Sequence, residues 1–117
     1  MRVIEKNMVA AIKSGREWKQ DNTEVIYSAP NAQGWECPIV RLHGHVIAKG
    51  YNDIATGIAS WQFTLAGWNT PTTRSRITSL MQAFSKEYQG VRTERGQAIV
   101  LRRDGSSFPI ANDEWVG

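Results

Sequence analysis

The sequence has one cysteine in 117 residues, so no intrachain disulfide can form and no Cys-x-x-Cys pair offers a zinc or redox site. Cys37 reads as a half-buried strand residue. No apolar run approaches the roughly 18 residues that a membrane helix needs, and no secretory leader is visible. A reducing, cytoplasmic setting is the expectation. Histidine is scarce as well, His43 and His45 being the whole supply. Two imidazoles flanking one glycine could hold a metal only with carboxylates or a thiol beside them, and no nearby acid is compelling. They read as turn or strand residues, and no metal or other cofactor is expected. A glycine-rich phosphate loop is missing, as are a nucleophile–base pair and two convergent carboxylates. The chain is therefore expected not to be an enzyme.

What is present is size for one ordinary core, so residues 1–117 are expected to form a single domain with a short acidic tail at 112–117. The net charge of +3 is unevenly spread. Residues 71–103 carry seven basic and two acidic groups, whereas residues 104–117 carry three acidic groups and no basic one. A basic stretch followed by an acidic end suits a surface that meets phosphates and a tail kept away from them. Ordinary charge scatter on a solvated helix and hairpin remains the alternative. Five tryptophans, at 18, 35, 61, 68 and 115, are more than a small core needs. Those in polar surroundings are candidates for meeting a partner.

Ile4, Met8, Ala11 and Ile12 share one face of a helix over 3–14, with Gly15 placed to end it. Residues 23–29 alternate as a strand around Val25 and Tyr27, and 30–34 carry turn residues. Two strands over 37–49 meet at His43-Gly44-His45, and a further strand at 58–66 puts Trp61, Phe63 and Leu65 on one face, opposite Ile58. Thr70 suits a helix N-cap and Pro71 the first helical position. Ile77, Leu80, Met81, Phe84 and Tyr88 then form one apolar stripe. Residues 97–103 and 107–111 read as a hairpin. The fold class is α+β, a mostly antiparallel sheet with two helices packed on one face, in the order α-β-β-β-β-α-β-β.

Two stretches carry a resemblance. Gly67-Trp68-Asn69-Thr70-Pro71-Thr72-Thr73-Arg74-Ser75-Arg76-Ile77 and the preceding Leu42-His43-Gly44 hairpin resemble the core of a family of small phage-encoded proteins, over roughly residues 5–85. In size, basic charge and aromatic-rich core the chain is also similar to the early single-stranded-DNA-binding transcription cofactors of lytic phages that encode their own RNA polymerases. The resemblance implies a phage protein in the cytoplasm of an infected bacterium, supporting transcription or replication. RNA polymerase or another replication or transcription protein would then be a partner.

The residues themselves point to single strands, because cations track a backbone while bases stack on rings. Neither helix belongs to a helix-turn-helix, which favours single strands over duplex. The expected nucleic-acid contacts are Arg74, Arg76, Arg92, Arg95, Arg102, Arg103, Lys49 and Lys19, with Tyr51 and Trp18 as stacking rings, in a protein expected to work as a homo-oligomer. Alternatives stay open at several points. On a helical wheel Arg74 lies about 60° to one side of the apolar stripe and Arg76 about 100° to the other. Either Thr70, Thr72 and Thr73 help the arginines hold phosphate, or the threonines cap the helix and Arg74 spans to a sheet carbonyl or an acidic side chain. Trp18 is a stacking ring or a staple closing the first helix. The acidic end is a partner-recruiting tail, a strand end or a frayed terminus. The competing function is a small phage effector that binds a host protein through its exposed rings.

Overall fold

The computed structural model describes residues 2–32, 34, 36–52 and 59–117, with Asn52 and Ala59 as backbone only. Gln33, Trp35 and Ile58 lie outside the described residues. The chain forms α1 (Val3–Lys13), β1 (Trp18–Gln20), β2 (Thr23–Tyr27), β3 (Pro38–Leu42), β4 (His45–Asn52), β5 (Ala59–Phe63), α2 (Pro71–Phe84), β6 (Tyr88–Glu94), β7 (Gln97–Arg102) and β8 (Ser107–Ile110). The α+β class and antiparallel pairing are as expected. The strands, however, divide into a five-stranded meander, β1 to β5, and a three-stranded one, β6 to β8.

Local chemistry sets the helix ends. Past α1, Gly15 takes φ +67°, its N–H reaches the Ile12 carbonyl, and the Arg16 N–H reaches that of Ala11. That pair of bonds is a Schellman cap, and it needs a left-handed residue. At the start of α2, Thr70 Oγ1 accepts the Thr73 N–H at 3.2 Å and Pro71 occupies the first turn. The helix stops at Ser85, which turns to extended backbone and accepts the Glu87 and Tyr88 N–H groups on its hydroxyl. Tyr88 consequently begins β6 and does not continue the helical stripe. The sequence reading missed β6 and β1. Gly90 and two charged residues break the alternation of the first, and the second is only three residues long.

The core is continuous through both sheets, with Met8, Val25, Val40, Phe63, Leu80, Met81, Val91 and Val100 among its members. Helix α1 packs on α2, β1 and β2, while α2 touches β4, β5 and β6. Its Thr78 hydroxyl accepts the Val91 N–H at 3.1 Å, which occupies part of the β6 edge left open by the meander. Phe84 is half-buried and stacks on Trp61 at 4.9 Å between centroids. Trp61 lies over Gly50, where an added Cβ would come within 2.8 Å of Pro38 and 2.9 Å of the indole.

Between β3 and β4 the register slips by one residue at Ile47. This bulge turns both Ile47 and Ala48 inward, so that both are buried, whereas regular alternation would expose one of them. The acidic end is not a free tail. Val116 is buried and exchanges two 2.9 Å backbone hydrogen bonds with Phe63, continuing the five-stranded sheet past β5. The Gly67 N–H reaches the Asn112 carbonyl at 2.8 Å.

Candidate functional site

Most of the arginines expected to hold phosphate have partners within the protein, although Arg92, Arg95 and Arg103 stay exposed. Arg76 is the firmest correction, being only 4% exposed. Its Nη1 donates to Glu5 Oε2 at 2.8 Å and its Nε donates to Thr23 Oγ1 at 3.0 Å. The helical wheel placed Arg76 beside the apolar stripe, but that flank of α2 is covered by α1 and β2. Thr70 caps the helix as the second alternative has it, but Arg74 reaches neither a sheet carbonyl nor an acid and donates instead to the carbonyl and side-chain oxygens of Asn69, just before α2, at 3.2 and 2.5 Å. Arg103 donates to the carbonyls of Met81, Gln82 and Ser85, which closes the last turn of α2 against its own dipole. Arg102 lies 4.3 Å over the Phe108 ring and near Glu87, and Arg92 pairs with Glu94 at 2.7 Å. Arg95 sits exposed at the β6–β7 turn. These six do not form one surface.

The other four divide by strand face. Trp18 pairs with Val25, so its ring lies on the helix-covered face and packs against the core. It is a packing residue and is corrected as a stacking platform. Lys19, Lys49 and Tyr51 alternate onto the opposite face, which neither helix covers. Register sets the rows there: Lys19 beside Glu24 and Arg41, then Ile26 beside Ile39, Lys49 and Gln62, then Tyr51 beside Ser60. Glu24 is held by Arg41 at 3.0 Å, leaving the two lysines as the unneutralised charge among the described residues of these rows. Trp115, next to the inward Val116, points to this same face and lies 5.2 Å from the Lys49 ammonium. Tyr51 and Trp115 are each 41% exposed. The sequence reading assigned Trp115 to a tail, and only the strand-like docking of Val116 brings it here.

A second feature lies at the other end of β4. The two motif stretches face each other across a cleft of about 380 Å³. Leu42, Ile47 and Leu65 form an apolar floor, and His43, His45, Trp68 and Thr72 stand around it. Backbone conformation builds both walls. His43-Gly44 turns the hairpin with φ of +51° and +80°, and Ala66-Gly67 turns the chain out of β5 with φ of +55° and +88°. Left-handed conformation at His43 and Ala66 is unusual for residues with a Cβ, and it sets the angle at which each wall leaves the sheet. Trp68 is consequently 57% exposed. Its ring centre stands 6.2 Å from that of His45, tilted by 41°.

A polar chain runs from the buried ion pair to the cleft. Arg76 donates to Thr23 Oγ1, which donates to Asn22 Oδ1 at 2.9 Å, and the Asn22 amide nitrogen lies 3.4 Å from His43 Nε2. Because Asn22 uses its oxygen toward Thr23, it presents a donor to His43. The neutral imidazole then carries its proton on Nδ1. Glu5, at the far end, is pushed upward by burial, but hydrogen bonds from Ser75, Arg76, Ser79 and the Arg2 backbone outweigh this and hold its carboxyl below the usual range.

The start of α2 is a poorer anion site than its threonines suggest. Pro71 has no N–H, the Thr73 N–H is taken by Thr70 Oγ1, and that of Arg74 by the Thr70 carbonyl. Of the orphan donors that favour phosphate at a helix N-terminus, one is therefore missing and one is spent, the Arg74 bond being the ordinary first bond of the helix. Among the described residues no three His, Cys, Asp or Glu side chains gather as a metal site requires, and no helix is long and apolar enough to cross a membrane.

No curated protein and no solved structure matches the chain. A family model does, over the length in which hairpin, cleft and docked end all lie. The chain belongs to the phage-encoded family described as Kyanoviridae Gp96 protein, whose model matches residues 1–117.

Proposed function

We propose that this phage protein binds single-stranded DNA, without catalysis and with little base preference, on the face of the five-stranded sheet that the helices leave uncovered. The observation that carries the reading is the placement of Tyr51, Trp115, Lys49 and Lys19 on that one face. Two exposed rings offer platforms for bases, and two lysines offer charge to the backbone between them. A sheet face of this kind does not enter a duplex groove as a helix would, so unpaired bases are the fitting substrate. Supporting transcription or replication in the host cytoplasm is the role this activity serves.

The test is titration of labelled single- and double-stranded oligonucleotides at several salt concentrations. Lys49→Ala should flatten the plot of log affinity against log salt by about 0.7 for one lost phosphate contact. Tyr51→Ala should weaken binding by about 1 to 3 kcal/mol with little change in slope. Arg76→Met should alter affinity only through stability. Absence of binding by the parent protein at low salt would sink this reading and favour an effector that acts on a host protein.

A further inference from the structure

We infer that the cleft between the β3–β4 hairpin and the Gly67–Thr73 segment is a pocket for one nucleobase, taken edge-in between His45 and Trp68. This deepens the single-strand reading, on which it rests for the identity of the ring.

Size, shape and unspent polar groups all favour a flat heteroaromatic occupant. The cleft, at about 380 Å³, falls within the range of small-ligand pockets. Its floor of Leu42, Ile47 and Leu65 is apolar, and since these side chains are 4% or less exposed it offers the inserted edge of a ring a closed base. At 6.2 Å and 41° the His45 and Trp68 rings do not stack on each other. Their spacing is less than about 1 Å short of the ~7 Å that a third ring between them needs at normal contact distance, and both side chains are exposed and free to adjust.

Around the floor stands the Thr72 hydroxyl, with no hydrogen-bond partner among the described residues; the Trp68 and His45 ring nitrogens lie in the planes of the rings that would stack on the occupant and serve it by their faces alone. His43 adds its Nδ1, the Asn22–Thr23–Arg76 chain holding its other nitrogen. The Thr72 hydroxyl and His43 Nδ1 beside an apolar floor suit a ring with a polar edge. A hydrocarbon side chain from a partner protein would leave them unmatched.

The experiment titrates the full chain with deoxynucleoside monophosphates at millimolar concentration, following the histidine, tryptophan and tyrosine ring signals by NMR. Saturable shifts are expected at His43, His45 and the Trp68 indole. Trp68→Ala and His45→Ala should each weaken binding roughly 5- to 160-fold, the range of one lost stacking ring, while Lys86→Ala, an exposed residue just past α2, leaves it unchanged. Both replaced residues are exposed, and circular dichroism checks that the variants fold. Unsaturable shifts, or shifts confined to Tyr51 and Trp115, overturn the inference. So does tighter binding of N-acetyltryptophanamide than of any monophosphate, which would mark the cleft as a seat for a protein side chain. Should oligonucleotides still bind through Lys49 and Tyr51 in any of these cases, the sheet-face reading stands and only the cleft assignment falls. If monophosphates fill the cleft while Lys49→Ala and Tyr51→Ala leave oligonucleotide affinity intact, the reverse holds.

Discussion

Replacing Arg76 by Met separates the two roles open to this residue. The substitution keeps a long side chain but removes the 2.8 Å bond to Glu5 and the 3.0 Å bond to Thr23. Glu5, itself 2% exposed, keeps the Ser75 hydroxyl at 2.6 Å and the Arg2 N–H at 3.3 Å. It would then be a buried carboxylate without a counter-charge, and breaking a buried pair from one side costs about 3 to 5 kcal/mol. In a domain of this length that is a fall of roughly 10 to 20 °C in Tm. Urea denaturation at neutral pH measures it directly. A double variant, Glu5→Leu with Arg76→Met, should recover most of the loss, because a matched apolar pair leaves no orphan charge. The pH dependence has a fixed sign. In the parent, the lowered Glu5 pKa contributes stability above the ordinary carboxylate value that is lost as pH falls through the folded-state value. In Arg76→Met, burial acts with less opposition and favours the protonated acid, so the gap between variant and parent should narrow in acid. A loss under about 1 kcal/mol with unchanged fold would mean that Arg76 faces solvent, and would refute both the pair and the covered flank of α2.

Two further predictions follow from packing. Gly50→Ala should destabilise by about 1 to 3 kcal/mol, since its methyl group would lie 2.8 Å from Pro38 and 2.9 Å from Trp61; a neutral effect in thermal melting would show that the indole does not lie on β4. Deleting Asp113–Gly117 should lower Tm by removing buried Val116 and its two bonds to Phe63, at about 1.5 to 3 kcal/mol for the side chain. An unchanged Tm would mean that this end is an undocked tail.

Elements whose chemistry is local were legible in the sequence. Gly15 ends α1, Thr70-Pro71 start α2, and His43-Gly44 turn a hairpin, because each depends on a backbone preference or a cap within a few residues. Alternation likewise put Trp61, Phe63 and Leu65 on one buried face. The two stretches singled out by resemblance proved to be the two walls of the cleft, although nothing in the sequence said that they meet. What the sequence left open depended on neighbours far along the chain. Arg76 and Arg103 look alike as exposed cations in a basic stretch. One is buried because Glu5, 71 positions away, lies against it, and the other is drawn to the carbonyls ending α2. Trp18 and Lys19 are adjacent, yet strand register sends the first into the core and the second to the open face. Trp115 joins Lys49 and Tyr51 only because Val116 pairs with Phe63. Composition determines how much charge and how many rings a chain has, and local pattern determines which segments are helices and strands. Which charges remain available to a partner is decided by tertiary contacts, because a buried donor must find an acceptor wherever the fold supplies one.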